Sequence, residues 1–406
     1  MVDLLIQGGE VIDPGQGLRG RLDIAVLHGK IVEIAPRIDA KAAERVVDVS
    51  GKVVAPGLID LHAHVYAGVR TVGVNENCLM PDLAGVQSGV TTLVDPGSGG
   101  CYNFSGFTRF LVPSSRTRLF AFVHIGRHGL FTQPEIAQRD DIDLEGTIKC
   151  VEQNKPTVLG IKLRMAGPVL DIFGLEAAKL AKRAARETRT KLMVHIGDSR
   201  QERPHANHLT QQLLAEVLEP GDILTHLCTH HAGGVMRQDG TVIPELRDAI
   251  KAGVVLDPAH GRFNFNFDVA RRQLDQGVVP DTISTDIGLA NWKATVHSMT
   301  ETMSKFLAVG LSLEDVILRT TANPAKALGM ADTLGAIAVG RDADLSVLDV
   351  VEGDWQFVDS SGAQFKGSQA IVPVVTIRAG EVIAPDWGPH PWGWLPAPGP
   401  QGSRGK

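Results

Sequence analysis

Eight apolar or β-branched runs recur along the middle of this 406-residue chain, ending near His62, Asp95, His124, Lys162, His195, His226, Asp257 and Asp286. Their separation stays close to the roughly 30 residues that one strand-plus-helix unit occupies. The stretches between them carry helical patterns, as in Leu175 to Glu187, where Leu175, Ala178, Leu180, Ala181 and Ala185 fall mostly on one face. Eight such units at nearly constant spacing predict an α/β fold, a (β/α)8 TIM-type barrel over residues 56–330, rather than an open sheet. The length also exceeds the roughly 250 to 300 residues at which a single core stops growing, so a second, smaller domain is expected.

That domain is legible at the two ends. Residues 1–55 read as short strands punctuated by turns, among them Leu4 to Gln7, Asp23 to Leu27 and Ile31 to Ile34, and the same texture returns within 331–383. The two ends are expected to build one small β-sandwich domain. Residues 384–406 differ again, holding six of the 22 prolines and three of the five tryptophans (Trp387, Trp392, Trp394). Proline at this density blocks helix and ladder formation. The segment reads either as a mobile tail or as one whose indoles dock on the barrel or on a neighbouring subunit.

Composition narrows the class. With 43% hydrophobic and 21% charged residues the chain is an ordinary globular one. A net charge of −6 and the lack of a basic stripe argue against a nucleic-acid partner. Four cysteines without CxxC pairing fit a reducing compartment. No secretory leader and no apolar run of roughly 18 residues is recognisable, so a cytoplasmic protein without membrane contact is expected. The expected partners are a small-molecule substrate and further copies of the chain in a homo-oligomer.

The chemistry concentrates where a barrel places its active site, at the carboxyl ends of the strands. The run Gly57-Leu58-Ile59-Asp60-Leu61 ends in His62-Ala63-His64, and the strand period of two points both imidazoles to one side, where they can grip a metal. Lys162, His195, His226 and Asp286 each close a later apolar or β-branched run. Four histidines, a lysine and an aspartate at equivalent points of a regular repeat make a metal site.

At these residues the chain resembles the amidohydrolase superfamily, and within it the deacetylase branch related to dihydroorotases and hydantoinases. The resemblance runs through Val54-Ala-Pro-Gly-Leu-Ile-Asp-Leu-His-Ala-His64, the loop Asp95-Pro-Gly-Ser-Gly-Gly-Cys-Tyr-Asn-Phe-Ser-Gly-Phe107, Thr321-Ala-Asn-Pro-Ala-Lys326 and Gly335-Ala-Ile-Ala-Val-Gly-Arg-Asp-Ala-Asp344. It implies two divalent ions, one held by His62, His64 and Asp286 and the other by His195 and His226, with Lys162 bridging them as a carbamate formed from CO2. An unmodified lysine is an ammonium with a reference pKa of about 10.4 and has no lone pair to offer, whereas a carbamate is an anion with two oxygens. The donor set makes zinc the expected occupant. The resemblance further implies a hydroxide nucleophile generated between the ions, with Asp286 as general base and then general acid.

Substrate-facing residues are Arg164, His260, Tyr102 and Asn103. Arg164 lies two residues beyond Lys162, so alternation brings it to the same side, as a fork for a substrate carboxylate or as a rim salt bridge. His260 follows the seventh run, as a substrate contact or as a hydrogen-bonded loop residue. Tyr102 and Asn103 lie in a glycine-rich loop that reads as a pocket wall rather than a phosphate cradle. His205, His208, His230 and His231 read as solvated loop residues, and His124 has no partner at ligand spacing. The expected activity is a metal-dependent deacylase acting on an ester or amide of a small carboxylate-bearing molecule. The alternatives are a cyclic amidohydrolase of dihydroorotase, hydantoinase or lactamase type and, more remotely, a non-catalytic hydantoinase-like scaffold, which the complete ligand set disfavours.

Overall fold

The computed structural model describes residues 1–67, 78–390 and 392–395. Seven parallel strands follow one another in chain order around one sheet: Leu58–Asp60, Val90–Gly100, Arg118–His124, Val158–Arg164, Lys191–His195, Ile223–Thr225 and Val255–Asp257. Residues 281–287 close the ring without a full ladder. The Asp281 and Thr282 amides donate to the Leu256 carbonyl, the Asp286 amide donates to the His62 carbonyl at 2.6 Å, and Ala63 forms a parallel bridge with Ile287. The predicted (β/α)8 barrel is present, with its eighth strand reduced to this bridged segment.

The continuous apolar runs follow from burial on two sides. Every position of Val90–Gly100 is buried, one face inside the barrel and the other under helices. The helix Glu176–Glu187 differs in one respect from the sequence pattern: its buried face is Ala177, Ala178, Ala181, Ala184 and Ala185, while Leu175 and Leu180 are only partly covered. Methyl side chains let the helix axis approach the sheet, and the longer leucines lean out at the flanks. Lys182 on the same face is buried and neutralised by Glu219 and Asp222, both at 2.7 Å.

Both chain ends meet in the smaller domain. A four-stranded sheet is made of Val2–Gln7, Asp23–Leu27, Lys30–Ala35 and Ala43–Asp48. A six-stranded sheet joins Glu10–Asp13, Leu18–Arg21 and Val53–Pro56 to Leu345–Val358, Gln364–Arg378 and Glu381–Ile383. Leu4, Ile6, Val11, Ile24, Val54, Val347 and Ile377 fill the space around them. The hairpin Leu345–Val358/Gln364–Arg378 belongs to both bodies, because its distal half carries Trp355, Phe357 and Ile371 onto the barrel core. There the Ile371 amide donates to Ser304 Oγ at 2.8 Å.

The described part of the proline-rich tail is docked on the barrel. Trp387 is only 5% exposed, Trp392 meets Trp355 edge-on, and Lys293 Nζ sits 4.0 and 4.1 Å from the ring centres of Trp292 and Trp394. No helix among the described residues is long and apolar enough to cross a membrane.

Candidate metal centre and active site

The strands end abruptly where the polar side chains begin. His226, one residue past Ile223–Thr225, has φ +73°, and Asp286 has φ +48°. Side chains with a Cβ enter this left-handed region only at a cost of about 1–2 kcal/mol, so the surrounding contacts hold both residues in turns that swing their side chains over the barrel mouth.

Four imidazoles and a carboxylate converge there. His64 Nε2 lies 3.1 Å and His62 Nε2 3.5 Å from the same oxygen, Asp286 Oδ1. The His195 and His226 rings are 4.0 Å apart and those of His62 and His226 5.1 Å. Ligand atoms of His62, His226 and Asp286 lie within 4.8 Å of one another, close enough to hold a metal ion.

The opposite ring nitrogens are tied down. His62 Nδ1 donates to Thr225 Oγ1, which donates to Asp257 Oδ2; His64 Nδ1 pairs with Ser98 Oγ at 2.7 Å; His226 Nδ1 donates to the Ala259 carbonyl at 2.8 Å. This pattern fixes ring orientation and aims the Nε2 atoms at the common space. The nitrogens His195 Nε2, His226 Nε2 and Lys162 Nζ are buried there and have no hydrogen-bond partner among the described residues. Each buried polar atom left unpaired costs about 1–3 kcal/mol, a penalty that cation binding removes. The residues present therefore fit divalent metal.

Electrostatics point the same way. Burial, reinforced by neighbouring cationic groups, holds His62 and His195 well below the usual imidazole range, and burial pushes His226 down to about 3. The imidazoles are thus neutral and keep a lone pair. Burial also lowers Lys162 to about 7 against the opposing pull of Asp286, so much of it is free amine near neutral pH. Burial would raise the Asp286 carboxyl, but its hydrogen bond to His64 and the nearby His64, His226 and Lys162 side chains keep it below the ordinary range.

Above this cluster opens a cavity of about 240 Å³ whose wall includes Arg164, Gln133, Arg200, Arg262, Asn264 and Asn291. Beneath it, Gly97 passes so close to Lys162 that a Cβ would fall 2.7 Å from the lysine Cβ, and its φ of +86° is one that side chains avoid. The glycine-rich end of the strand Val90–Gly100 thus makes room for Lys162 and supplies Ser98 to His64.

The amidohydrolase family model matches residues 53–383. The chain belongs to the amidohydrolase family. A deacetylase of Agrobacterium fabrum is 32% identical over 359 residues, covering 88% of this chain and 85% of its own. A deacetylase of Enterococcus faecalis is 31% identical over 383 residues, covering 94% and 98%. Among solved structures, an adenine deaminase superposes with a TM-score of 0.84 at 30% identity, covering 95% of this chain and all of the other. A dihydroorotase does so at 0.80 and 29%, covering 95% and 98%. The protein is accordingly a hydrolytic enzyme, and it groups with the deacetylase branch of the family.

For the substrate contacts expected of this amidohydrolase, the structure makes three corrections. Tyr102 is 60% exposed, packs edge-on against His128 and is not part of the cavity wall. Asn103 is spent on the backbone, accepting from the Gly100 amide and donating to the His128 carbonyl of the next strand's loop. His260 is fully buried, stacked on Phe265, with Nε2 2.9 Å from Lys305 Nζ. Loop residues follow no strand period, so their direction was set by packing that spacing does not encode. Arg164 forms the ion pair of its second reading, with Nη1 on Glu135 Oε1, and it also lines the cavity. His205 and His231 are engaged by Asp171 and Glu202.

Sequence reasoning overlooked Ser98, Thr225 and Asp257 as orienting groups and Arg200 and Arg262 in the wall. Thr225 and Asp257 had a usable signal, since both end strands on the catalytic rim. Ser98 had none, since the glycine-rich run around it reads as a loop although the structure continues the strand Val90–Gly100 through it.

Proposed function

We propose that this amidohydrolase is a metal-dependent deacylase that cleaves an ester or amide acyl group from a small carboxylate-bearing molecule. The observation that carries the reading is the Arg164 guanidinium on the wall of the cavity whose floor is the His62, His64, Lys162, His195 and Asp286 cluster. The curated deacetylases that match most of the chain support it.

His62, His64 and Asp286 would hold one divalent ion, His195 and His226 a second, and Lys162, carboxylated by CO2 with loss of a proton, would serve both. Zinc suits imidazole and carboxylate donors. When bound, the ions would lower the pKa of water toward neutrality and polarise the scissile carbonyl. Asp286, ionised and hydrogen-bonded to His64, takes the proton of the attacking water and returns it to the leaving oxygen or nitrogen. Arg164 receives the substrate carboxylate through its fork, while Glu135 holds the guanidinium in place. Arg200 and Arg262 add positive charge to the same wall and have no carboxylate partner among the described residues.

Turnover of N-acyl amino acids, O-acyl hydroxy acids and cyclic amides, compared on protein of measured metal content, tests the reading. Hydrolysis of the acyl acids is expected. Turnover confined to cyclic amides would replace the deacylase with a cyclic amidohydrolase.

A further inference from the structure

A buried ionic cluster lies next to the site and outside the cavity wall. Lys305 is wholly buried in the helix Met299–Ala308, and each proton of its ammonium has an acceptor: Glu301 Oε1 at 2.8 Å, the Thr295 carbonyl at 2.7 Å and His260 Nε2 at 2.9 Å. Glu301, one turn earlier on the same helix, is 2% exposed, and Ser298 caps the helix by accepting from the Glu301 amide. Lysine and glutamate are seldom buried this deeply, and replacing such a pair by apolar residues is often neutral or stabilising. Stability alone therefore gives a weak reason for the pair.

Its partner supplies a better one. With Nε2 accepting from Lys305, His260 carries its proton on Nδ1 and donates it to the Gly261 carbonyl at 2.8 Å. The backbone on either side of that imidazole touches two residues of the metal centre. The Ala259 carbonyl takes the Nδ1 proton of His226, leaving His226 Nε2 bare. Gly261 lies so close to Asp286 that a Cβ would fall 2.2 Å from Oδ2. Ala259 and Gly261 both have positive φ, +36° and +60°, so this turn is held rather than relaxed.

We infer that Lys305, paired with Glu301, is a positioning residue: through His260 it locks the Ala259–Gly261 turn, and the turn in turn sets the tautomer of His226 and the seat of Asp286. Lys305 itself touches neither ligand. The inference rests on the metal-dependent reading above, and two of its readouts need no substrate.

The test is the double variant Lys305→Met/Glu301→Met, which removes both buried charges together and leaves neither unpaired. A folded double variant is expected to show the His226 ring nitrogen resonances lose the pattern of a protonated Nδ1 and bare Nε2 in metal-free protein. It should bind zinc about 10- to 100-fold more weakly in competition with a chelator, the loss typical of disturbed outer-shell partners. With acyl substrates at saturating zinc, kcat should fall while KM holds, since Arg164 is undisturbed. His260→Phe keeps the stacking on Phe265 and the Lys305–Glu301 pair, and gives the same three readouts should the double variant fail to fold. Wild-type zinc affinity together with an unchanged His226 tautomer in either folded variant overturns the inference. Loss of both without any hydrolysis by the parent protein would sustain the positioning role and sink the deacylase reading.

Discussion

Thr225 stands between His62 and Asp257: its hydroxyl accepts from His62 Nδ1 at 3.0 Å and donates to Asp257 Oδ2 at 2.8 Å. Asp257 also receives Thr282 and Ser284, so the carboxylate at the end of the seventh strand is the anchor of a hydroxyl network that ends on an imidazole of the metal centre. Orientation of that ring is a property of three neighbouring strands.

Removing the link should be felt at the metal. Thr225→Val keeps shape and loses both hydrogen bonds, and zinc affinity should drop by about 10- to 100-fold, the range for outer-shell partners. Thr225→Ser should retain most of it. Chelator competition on both variants checks this, with circular dichroism to confirm the fold; equal affinities would remove Thr225 from the account.

Lys162 is expected to behave in opposite ways with and without metal. Its Nζ is buried and unpartnered among the described residues, so Lys162→Met should leave the metal-free protein as stable or more stable, by about 1–3 kcal/mol, because an unsatisfied polar group is replaced by an apolar one. The same change should abolish binding of the ion pair and hydrolysis. Carbon-13 bicarbonate should give the wild type a carbamate resonance that Lys162→Met lacks, and a wild type without that signal would refute the carboxylated lysine.

Arg164 should control substrate affinity. A hydrogen-bonded charge pair contributes about 1.5–3 kcal/mol, so Arg164→Met combined with Glu135→Gln, which avoids an unpaired carboxylate, should raise KM for acyl acids by about 10- to 100-fold. The corresponding esters without the carboxylate should be turned over unchanged. Equal KM values would move the carboxylate site to Arg200 or Arg262.

The Glu135–Arg164 pair also predicts a pH signature. Burial pushes Glu135 up, but the Arg164 guanidinium, His124 and a backbone hydrogen bond together outweigh it, so the carboxyl lies below its ordinary value of 4.5. A depressed carboxyl contributes stability that is full above 4.5 and is lost as pH falls through the lower folded value. Thermal melts should therefore show Glu135→Gln less stable than wild type at pH 7, with the gap closing below pH of about 4. A gap independent of pH would contradict it.

Docking of the tail is testable at Gly393. Its φ is +69°, and a Cβ there would fall 2.4 Å from the Trp387 ring. Gly393→Val should release the segment at a cost of about 1–3 kcal/mol, the usual range for overpacking. A red shift of tryptophan emission and faster proteolysis near residue 385 are the expected signs, and unchanged emission would show that the indoles are held by other contacts.

Much of the architecture was legible because it depends on local rules. Burial on both faces turns a barrel strand into an apolar run, and the pleat places alternate residues on one side; His62 and His64 accordingly reach the same oxygen of Asp286. The alanine face of Glu176–Glu187 was half legible, since the helical period is local while the depth of Leu175 and Leu180 depends on what packs beside them. Tyr102, Asn103 and His260 were illegible as to direction, lying in loops with no period to constrain them.

The sequence by itself determined a barrel of eight units and six residues of metal-binding type at its strand ends, since strand sterics and the length of a βα unit act over neighbouring residues. Only the tertiary structure decided which partners orient them. Thr225 and Asp257 reach His62, Ser98 reaches His64, Glu135 pairs with Arg164, and Lys305 reaches His260. Each of those contacts joins side chains on different elements, and their meeting depends on ring closure and loop packing, which no local period carries.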